Sequence, residues 1–317
     1  MEWDPSRFFR PEGSPSPYAL LMLNQPINEK AFAVLSQHAS YIVCADGGAN
    51  RLYDMMKAQG KEFTQLPDKI IGDLDSIRPA VRQHYEDLNV SVVKDPDQYS
   101  TDFTKCLKYL NSQASEIIKK SPQHQKISDS QGNTSTNGPA SIPRLEILIL
   151  GGLGGRVDQA FSQIHHLYMM TQTQRQLKDG SLEESPGAGG NLYLISEESI
   201  SFVLHEGKNT ILTPRTNRPA EYDSLRQAPN QDQLIEGSPL SKLPETEYFF
   251  EENIGIIPLS APASITTQGF EWDVENWQTE IGGQISTSNH IRADQVEVST
   301  NVPVLFTAEL AQRLKRA

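Results

Sequence analysis

The sequence predicts an α/β fold in which an N-terminal domain, built on a parallel sheet, precedes a C-terminal antiparallel β-sandwich. Between residues 18 and 198, short apolar runs alternate with amphipathic segments, as in parallel strands joined by covering helices. Beyond residue 198 the apolar segments are short and β-branched, and Gly, Pro, Asn and Asp interrupt them. This change of pattern predicts a domain boundary near residue 198.

Six apolar runs in the first domain have the length of buried strands. They are 18–23, 41–45, 69–72, 91–93, 145–150 and 191–195. The amphipathic segments that follow the first five runs begin near Asn28, Ala49, Pro79, Thr101 and Arg156. Because parallel α/β sheets bind ligands at the carboxyl ends of their strands, we expect a Rossmann-like domain with a site at that edge.

The second domain, residues 199–317, has the composition of strands. Segments such as ISFVLHEG, NTILTP and DQVEVSTNVPVLFT show no helical period, and turn residues separate them. Short strands with frequent turn signals favour a β-sandwich.

Four stretches are too polar to contribute to a core. Residues 1–17 are predicted to be a disordered N-terminal tail, and residues 111–143, 178–190 and 216–245 to be polar insertions. Pro, Ser and charged residues dominate the tail, and Gln, Asn and Gly are added to them in the insertions, so little apolar area is available to offset the entropy of ordering.

Charge and composition limit the partners of the chain. Its 317 residues carry a formal net charge of −12. This charge argues against sequence-independent binding of nucleic acid, because such binding requires clustered Lys and Arg. The apolar runs are far too short to span a bilayer, so no membrane partner is expected. Only two cysteines occur, and the N-terminal residues lack a basic stretch followed by an apolar core, which favours the cytoplasm.

Asp46 directly follows the run 41–45, in the segment IVCADGGANRLYD. Gly47 and Gly48 then allow a tight turn and a close approach of the backbone to a ligand before the next helix. An Asp-Gly pair after a strand is as often only a turn. This segment alone does not decide between a ligand site and a turn.

Asp73 and Asp75 lie two residues apart after the run 69–72, in KIIGDLDSI. In an extended segment, residues i and i+2 point to the same side, so both carboxylates could face one hard cation such as Mg²⁺. The other explanation is an Asx turn followed by a helix cap, for which the hydroxyl of Ser76 is suited.

Asp102 belongs to a third acidic segment that follows a predicted strand, KDPDQYSTDFTKCLKYL. Ser100 or Thr101 is suited to cap the next helix, which puts Asp102 in the first turn, where an acidic residue often serves only the helix dipole. Three acidic segments in a row at strand ends favour a shared site over coincidence.

A glycine-rich segment follows the run 145–150, in LEILILGGLGGRVDQAFSQIHHLY. Strand, glycine loop and helix N-terminus together offer backbone N–H groups and a positive dipole end to a phosphate. The segment is neither the lysine-containing P-loop nor a complete dinucleotide fingerprint, so it does not identify the ligand. The candidate contacts are Gly151, Gly152, Gly154, Gly155 and Arg156, while Asp158 either binds the ligand or caps the helix.

In the second domain, TTQG and STSN are dense in small hydrogen-bonding side chains, and Trp272 lies between them. The indole could stack on a flat ring. From composition alone, hairpin turns with Trp272 in the core are the better explanation.

Taken together and in this order, the segments resemble the thiamin pyrophosphokinase family, eukaryotic type. The blocks that carry the resemblance are ADGGANRLYD, GDLDS, DQYSTDFTKC, LGGLGGRVDQ, TTQGFEW and STSN, within a stretch from about residue 18 to about residue 309. The resemblance implies a diphosphotransferase that moves pyrophosphate from ATP to thiamin, giving thiamin diphosphate and AMP. It also implies Mg²⁺ as cofactor, ATP as co-substrate, and a homodimer with its sites at the subunit interface.

The same resemblance implies roles for residues of both domains. Asp73, Asp75 and Asp102 would bind Mg²⁺ and the ATP phosphates, with Asp46 close by as a further catalytic group. The nucleotide would lie against Gly47, Gly48 and the segment from Gly151 to Asp158. Thiamin would contact Gln98 and, from the partner subunit, Trp272, Ser286, Ser288 and Asn289.

Two positions depart from the family pattern. Phe270-Glu271 stands where the family often has Leu-Lys, which changes the surroundings of thiamin, and Phe306 stands where it often has Trp, which looks like a core substitution. Two other functions stay open: a non-catalytic sensor of nucleotide or thiamin, and another phosphoryl transferase on the same scaffold. Three metal-directed carboxylates favour an enzyme, because a mere binder gains little from them.

Overall fold

The computed structural model describes residues 1–121, 123, 143–222, 244 and 247–316. The chain divides into two compact units. One unit, called here the α/β unit, contains Phe9–Glu197 and Arg316, and the other, called the β unit, contains Met1–Phe8 and Glu198–Lys315. None of the helices within the described residues combines the length and apolar character needed to cross a membrane.

The helices and strands are numbered in chain order. The strands are β1 (Glu2–Trp3), β2 (Tyr18–Met22), β3 (Tyr41–Ala45), β4 (Lys69–Gly72), β5 (Ser91–Lys94), β6 (Glu146–Leu150), β7 (Leu192–Ile195), β8 (Ser199–Leu204), β9 (Gly207–Leu212), β10 (Thr216–Asn217), β11 (Phe250–Pro258), β12 (Ala263–Gln268), β13 (Trp277–Thr279), β14 (Ser286–His290), β15 (Gln295–Thr300) and β16 (Val304–Leu310). The α-helices are α1 (Glu29–Leu35), α2 (Gly48–Ala58), α3 (Pro79–Asp87), α4 (Asp102–Ser112), α5 (Ala114–Lys120) and α6 (Val157–Asp179).

The α/β unit contains six strands in the order β7-β6-β2-β3-β4-β5, and every neighbouring pair is parallel. All six predicted strands are confirmed within a residue or two. Every residue of β2 and β6 is buried, as expected for central strands of a parallel sheet that is covered on both faces, and every residue of β7 is buried as well.

The predicted helix starts are also confirmed. Asn28 caps α1, because its side chain accepts a hydrogen bond from the N–H of Ala31 at 3.0 Å. Thr101 caps α4 in the same way, through the N–H of Thr104 at 3.3 Å. Helix α6 ends at Gly180, whose left-handed φ of 81° suits glycine.

The β unit contains two groups of paired strands. One has the order β1-β9-β15-β12-β13, and the other has the order β10-β11-β16-β8, with β14 also paired to β11. The pairs are antiparallel except for β1 with β9 and β10 with β11, which involve strands of two residues. Buried positions alternate with half-buried or exposed ones along β12 and β15, so each of these strands has one face in a core.

The expected disorder of residues 1–17 is wrong. Trp3 is buried, stacks on Phe202 with ring centroids 4.9 Å apart, and donates its indole N–H to Asn209 at 3.0 Å. Phe8 and Phe9 are also buried. Composition failed because these few aromatic side chains bury enough area to order a segment whose average character is polar.

The expected polar insertions are partly wrong. Residues 111–112 lie in α4 and residues 114–120 in α5, and the buried Asn111 donates to Gln174 at 2.8 Å. In the stretch 178–190, Gly190 packs so closely that an added Cβ would lie 1.9 Å from the carbonyl oxygen of Leu145. The third stretch begins in β10. Residues 122, 124–142, 223–243 and 245 of the predicted insertions lie outside the described residues.

Candidate active site

Three carboxylates meet near the carboxyl ends of the parallel strands. Asp46 follows β3, Asp73 follows β4, and Asp102 begins α4. One oxygen from each carboxylate lies within 4.8 Å of the other two. The structure therefore brings together residues that are 29 and 27 positions apart in sequence, as the strand-end argument predicted.

Asp46 is the buried member of this acidic cluster, with 1% of its surface exposed. Its two carboxylate oxygens accept hydrogen bonds from the N–H groups of Ser76 (2.8 Å) and Ile77 (2.9 Å). Burial raises the pKa of Asp46, and the charges of Asp102 and Asp73 raise it further, against the lowering effect of the two hydrogen bonds. The cluster thus holds negative charge that is only partly neutralised.

Lys105 supplies a positive charge to the cluster. Its Nζ lies 3.1 Å from Oδ1 of Asp102, one helical turn away, and 2% of its side chain is exposed. Burial lowers the pKa of Lys105, but the hydrogen bond to Asp102 and the charges of Asp102, Asp73 and Asp95 outweigh that effect and raise it. Sequence reasoning missed Lys105, although its position three residues after Asp102 was an available signal.

Gly72 allows the carboxylates to approach. A Cβ at this position would lie 2.6 Å from the Cβ of Asp46 and 3.1 Å from Cγ of Asp102. Any other residue would therefore push at least one carboxylate away. No local sequence pattern indicates this contact, because Asp46 and Asp102 reach Gly72 from other elements.

Asp75 lies apart from the acidic cluster. Leu74 has a left-handed φ of 65°, so the segment turns where an extended chain was expected. Asp75 is exposed and donates its N–H to Oδ1 of Asp73 at 3.1 Å, which is the Asx turn considered as the other explanation. The argument that residues 73 and 75 share one side is therefore wrong in its geometry.

The acidic cluster fits a hard divalent cation. Its ligand atoms are carboxylate oxygens, the type that Mg²⁺ and Ca²⁺ take, and three of them converge, with the ammonium group of Lys105 against Asp102. A cation would relieve the repulsion that raises the pKa of Asp46.

The glycine loop after β6 has the backbone that its sequence predicts. Gly151, Gly154 and Gly155 have left-handed φ values of 70°, 129° and 67°. An added Cβ at Gly151 would lie 2.6 Å from the carbonyl oxygen of Leu23, and one at Gly152 would lie 2.8 Å from Cδ1 of Leu194. Only glycine keeps this loop close to the end of the sheet.

Arg156 and Asp158 pair with each other at the start of α6. The guanidinium donates from Nε (3.0 Å) and Nη2 (2.5 Å) to the two carboxylate oxygens, and the hydrogen bond lowers the pKa of Asp158. Both side chains are exposed. Asp158 therefore orients Arg156 and is not a side-chain cap of the helix.

Gly47 and Gly48 are packed against the end of β2. A Cβ at Gly48 would lie 2.2 Å from the carbonyl oxygen of Met22, and one at Gly47 would lie 2.2 Å from the side-chain nitrogen of Asn24. Their need for glycine is thus explained by packing at the sheet edge. Gln98 is exposed in the segment between β5 and α4.

The β unit has a cleft of about 390 Å³. Four of the predicted residues line it: Trp272, Ser286, Ser288 and Asn289. Trp272 is 57% exposed, so the explanation that places it in the core is wrong. Thr267 of the segment TTQG also lines the cleft, and sequence reasoning missed Trp277 and Ile285, which line it too. Trp277 was visible as an aromatic residue five positions after Trp272.

The two departures from the family pattern have different surroundings. Phe306 is fully buried with its ring centroid 5.4 Å from that of Phe202, so it is a core residue as expected. Phe270 is buried, and Glu271 forms an ion pair with Arg292.

Two family models match the chain, one on each side of residue 198. Residues 32–178 match "Thiamin pyrophosphokinase, catalytic domain", and residues 241–305 match "Thiamin pyrophosphokinase, vitamin B1 binding domain". The first range contains the acidic cluster, and the second contains the cleft residues Trp272 and Asn289.

Relatives from rice and yeast match most of the chain. It is 28% identical over 302 residues to Thiamine pyrophosphokinase 1 of Oryza sativa subsp. japonica, covering 92% of this chain and 87% of that protein. It is 27% identical over 317 residues to Thiamine pyrophosphokinase of Saccharomyces cerevisiae, covering 92% of this chain and 85% of that protein.

Solved structures with the same fold cover nearly the whole chain. The thiamin pyrophosphokinase from Candida albicans has a TM-score of 0.65 and 26% identity, covering 98% of this chain and 92% of that one. The yeast thiamin pyrophosphokinase structure has a TM-score of 0.68 and 23% identity, covering 98% and 90%, and it supports the fold alone.

Proposed function

The chain belongs to the thiamin pyrophosphokinase family, eukaryotic type, and from that premise we propose that it transfers the pyrophosphate of ATP to thiamin, releasing AMP. The observation that carries the proposal is the convergence of Asp46, Asp73 and Asp102 within the range of the catalytic-domain match. A carboxylate cluster at strand ends suits phosphoryl transfer, which depends on positioning and on neutralising phosphate charge.

Asp46, Asp73 and Asp102 would hold Mg²⁺, which when bound neutralises charge on the ATP phosphates. Lys105 keeps Asp102 oriented by its hydrogen bond of 3.1 Å. Asp75 is exposed and lies outside the three convergent carboxylates, so in this proposal it would act from the edge of the site and not as a direct ligand. This assignment adds Asp46 to the metal ligands.

The nucleotide would lie along the glycine segments of the α/β unit. The left-handed backbone at Gly151, Gly154 and Gly155 and the N-terminus of α6 offer N–H groups to phosphates. Arg156 is exposed and oriented by Asp158, so its guanidinium is available as a phosphate contact. This arrangement corresponds to a Rossmann-like nucleotide domain, followed by a β-sandwich that contains the thiamin cleft.

The reaction forms a bond between the hydroxyl oxygen of thiamin and the β-phosphorus of ATP. The bond from that phosphorus to the bridging α,β-oxygen breaks, and AMP leaves with this oxygen. The hydroxyl proton passes to a carboxylate of the cluster, either Asp46 or Asp102. The main task of the binding residues is to hold the thiamin hydroxyl in line with the bond that breaks at the β-phosphorus of ATP.

Thiamin would lie in the cleft of the β unit. Trp272 offers an exposed indole face to a flat cationic ring, and Ser286 and Ser288 offer hydroxyl groups beside it. The family resemblance implies that Gln98 of the α/β unit would also contact thiamin.

A homodimer with sites shared between subunits is part of the proposal. Helix α6 carries exposed apolar side chains at Val157 (71%) and Phe161 (65%), which share one face by their spacing of four, and at Met169 (46%) further along. Such a face favours burial against another protein surface. Cys44 and Cys106 are free and buried, which fits a reducing compartment such as the cytoplasm.

The decisive experiment incubates the protein with ATP, Mg²⁺ and thiamin and measures the nucleotide and thiamin products. We expect AMP and thiamin diphosphate in equal amounts, and about 10²-fold less of both, or lower still, from an Asp73→Asn variant used as a matched control. Formation of ADP would show transfer of the γ-phosphoryl group and contradict the proposal. Binding of thiamin without turnover would favour a sensor.

A further inference from the structure

Trp272 lies in the loop between β12 and β13. The carboxylate of Asp273 holds the residues around it in place. Asp273 accepts hydrogen bonds from the N–H groups of Gly269 (2.9 Å) and Phe270 (3.2 Å) and from the hydroxyl of Thr267 (3.1 Å). An exposed indole that must bind a ligand loses rotamer freedom on binding, so a fixed loop reduces that loss. The loop is therefore built to present Trp272.

Asn289 holds the backbone of Trp272 directly. Its Oδ1 accepts the N–H of Trp272 at 3.1 Å, and its Nδ2 donates to the carbonyl oxygen of Trp272 at 2.9 Å. The N–H of Trp272 needs an oxygen acceptor, and its carbonyl oxygen needs an N–H donor. The two hydrogen bonds together therefore fix which way the side-chain amide of Asn289 is oriented. Oδ1 also accepts the N–H of His290 at 2.8 Å, and Asn289 is only 7% exposed.

These contacts use most of the hydrogen-bonding capacity of Asn289. Both lone pairs of Oδ1 and one of the two Nδ2 hydrogens have protein partners. The residue also sits on β14, which pairs with Ile254 of β11. Asn289 thus links the loop of Trp272 to a strand, and little of its amide is left for a ligand.

His290 supports the indole ring itself. The ring centroids of Trp272 and His290 are 5.1 Å apart. Nη2 of Arg292 donates to Nδ1 of His290 at 3.0 Å, and Arg292 is anchored by ion pairs with Glu252 and Glu271. Since arginine has only donors, Nδ1 must be the acceptor, and the imidazole is held in one orientation.

We propose that Asn289 is a positioning residue, which acts on thiamin by fixing Trp272 and not by contacting thiamin. The inference rests on the proposed function, because that function supplies thiamin as the ligand of the cleft. It differs from the role that resemblance implied for Asn289, a direct contact with thiamin.

A double-mutant cycle tests the proposal on the full-length protein. Thiamin and ATP dissociation constants are measured by calorimetry for wild type, Asn289→Ala, Trp272→Ala and the double variant. We expect Asn289→Ala to weaken thiamin binding about tenfold, the loss of roughly one hydrogen-bonded contact, and to leave ATP binding unchanged. In the Trp272→Ala background, the same change should alter thiamin binding less than about twofold.

Equal losses in both backgrounds would overturn the proposal, because they would show a contact independent of Trp272. Asn289→Asp provides a second variant of the same shape, which keeps the acceptors for both N–H groups but places an oxygen against the carbonyl of Trp272. We expect it to follow the same pattern as Asn289→Ala, and wild-type thiamin affinity in this variant would contradict the role of Nδ2.

Asn301→Ala is the matched control. Asn301 accepts the N–H of Ser264 at 2.8 Å in the same unit and does not line the cleft, so we expect unchanged thiamin binding. Failure of the proposed function would appear in the product assay, as missing AMP. Failure of this inference would appear in the cycle, whether or not the protein turns over.

Discussion

At the scale of single residues, the acidic cluster depends on two residues that have no metal-binding chemistry of their own. Gly72 leaves space for Asp46 and Asp102, and Lys105 faces Asp102 from one turn along α4. Three carboxylates can therefore stay within 4.8 Å of each other while one ammonium offsets part of their repulsion.

Substitution of the cluster should separate its members from Asp75. We expect Asp73→Asn and Asp102→Asn each to lower kcat by about 10²-fold or more, because a lost charge-matched ligand costs several kcal/mol of transition-state stabilisation. Asp75→Asn should lose less, because Asp75 is exposed and outside the cluster. Rates at limiting Mg²⁺ check this, and equal losses in all three variants would place Asp75 among the direct ligands.

Gly72→Ala tests the packing of the cluster. The added Cβ would lie 2.6 Å from the Cβ of Asp46, so we expect a destabilisation of roughly 1–3 kcal/mol and a clear loss of kcat. Gly180→Ala is the control, because Gly180 has a left-handed φ of 81° but open space around it. The Gly180→Ala variant should lose stability without losing activity. Full activity in Gly72→Ala would show that the carboxylates do not need this space.

Sequence predicted the cluster residues but not how they meet. Position after a parallel strand was enough to select Asp46, Asp73 and Asp102, because the fold brings strand ends together. The role of Asp75 depended on the backbone of Leu74, whose positive φ is set by the turn and has no signature in an apolar side chain.

At the scale of elements, the environment of α6 changes along its length. Its first half exposes Val157 and Phe161, whereas Leu167, Thr171 and Leu177 are buried further along. His166 lies between these parts, half-buried, with its ring 6.2 Å from that of Phe103. Burial, and then the charge of His165, lower the pKa of His166 below its ordinary 6.5.

This shift predicts a loss of stability in acid. A histidine whose pKa is lower in the folded protein binds protons more readily when unfolded, so stability falls as pH drops below 6.5. We expect His166→Gln to reduce the difference in urea midpoint between about pH 7.5 and about pH 5.5. His165→Gln should reduce this difference in urea midpoint less, since the charge of His165 lowers the pKa of His166 less than burial does. An unchanged difference in His166→Gln would contradict the assignment.

The helices and strands of the α/β unit were predictable because their signals are local. A buried parallel strand is apolar along its whole length, as β2 and β6 are, and Asn28 and Thr101 mark helix starts. Strand β1 was not predictable, because its two residues pair with Thr210 and Ile211, some 200 positions away. No local pattern reports such a partner.

At the scale of the whole molecule, the proposed dimer can be tested by complementation. Asp73→Asn subunits and Trp272→Ala subunits, the latter impaired in thiamin binding, are mixed at low thiamin under conditions that allow exchange. If each site takes these residues from different chains, a mixed dimer contains one intact site, and random exchange should restore up to about a quarter of wild-type activity. No recovery despite confirmed exchange would place both residues in the site of one chain.

Deletion of residues 124–141 should leave activity within about twofold of wild type, because loop-closure cost depends weakly on length. The stretch is mainly Ser, Gln, Asn, Gly and Thr, with too few apolar residues for a core. Deletion of Ala114–Lys120 is the contrasting control, since Ile117 and Ile118 are buried there, and we expect a poorly folded protein. Lost catalysis in a folded 124–141 deletion would reveal a functional role for that stretch.

The pairing of Glu2–Trp3 with β9 has a consequence for biosynthesis. The β unit combines residues 1–8 with residues 198–315, so its first strand leaves the ribosome about 200 residues before its neighbour. At typical translation rates of about 5–20 residues per second, Trp3 waits on the order of 10–40 s for Phe202 and Asn209. During that interval the nascent chain exposes an aromatic segment, and a chaperone that shields it would raise the yield of the folded protein.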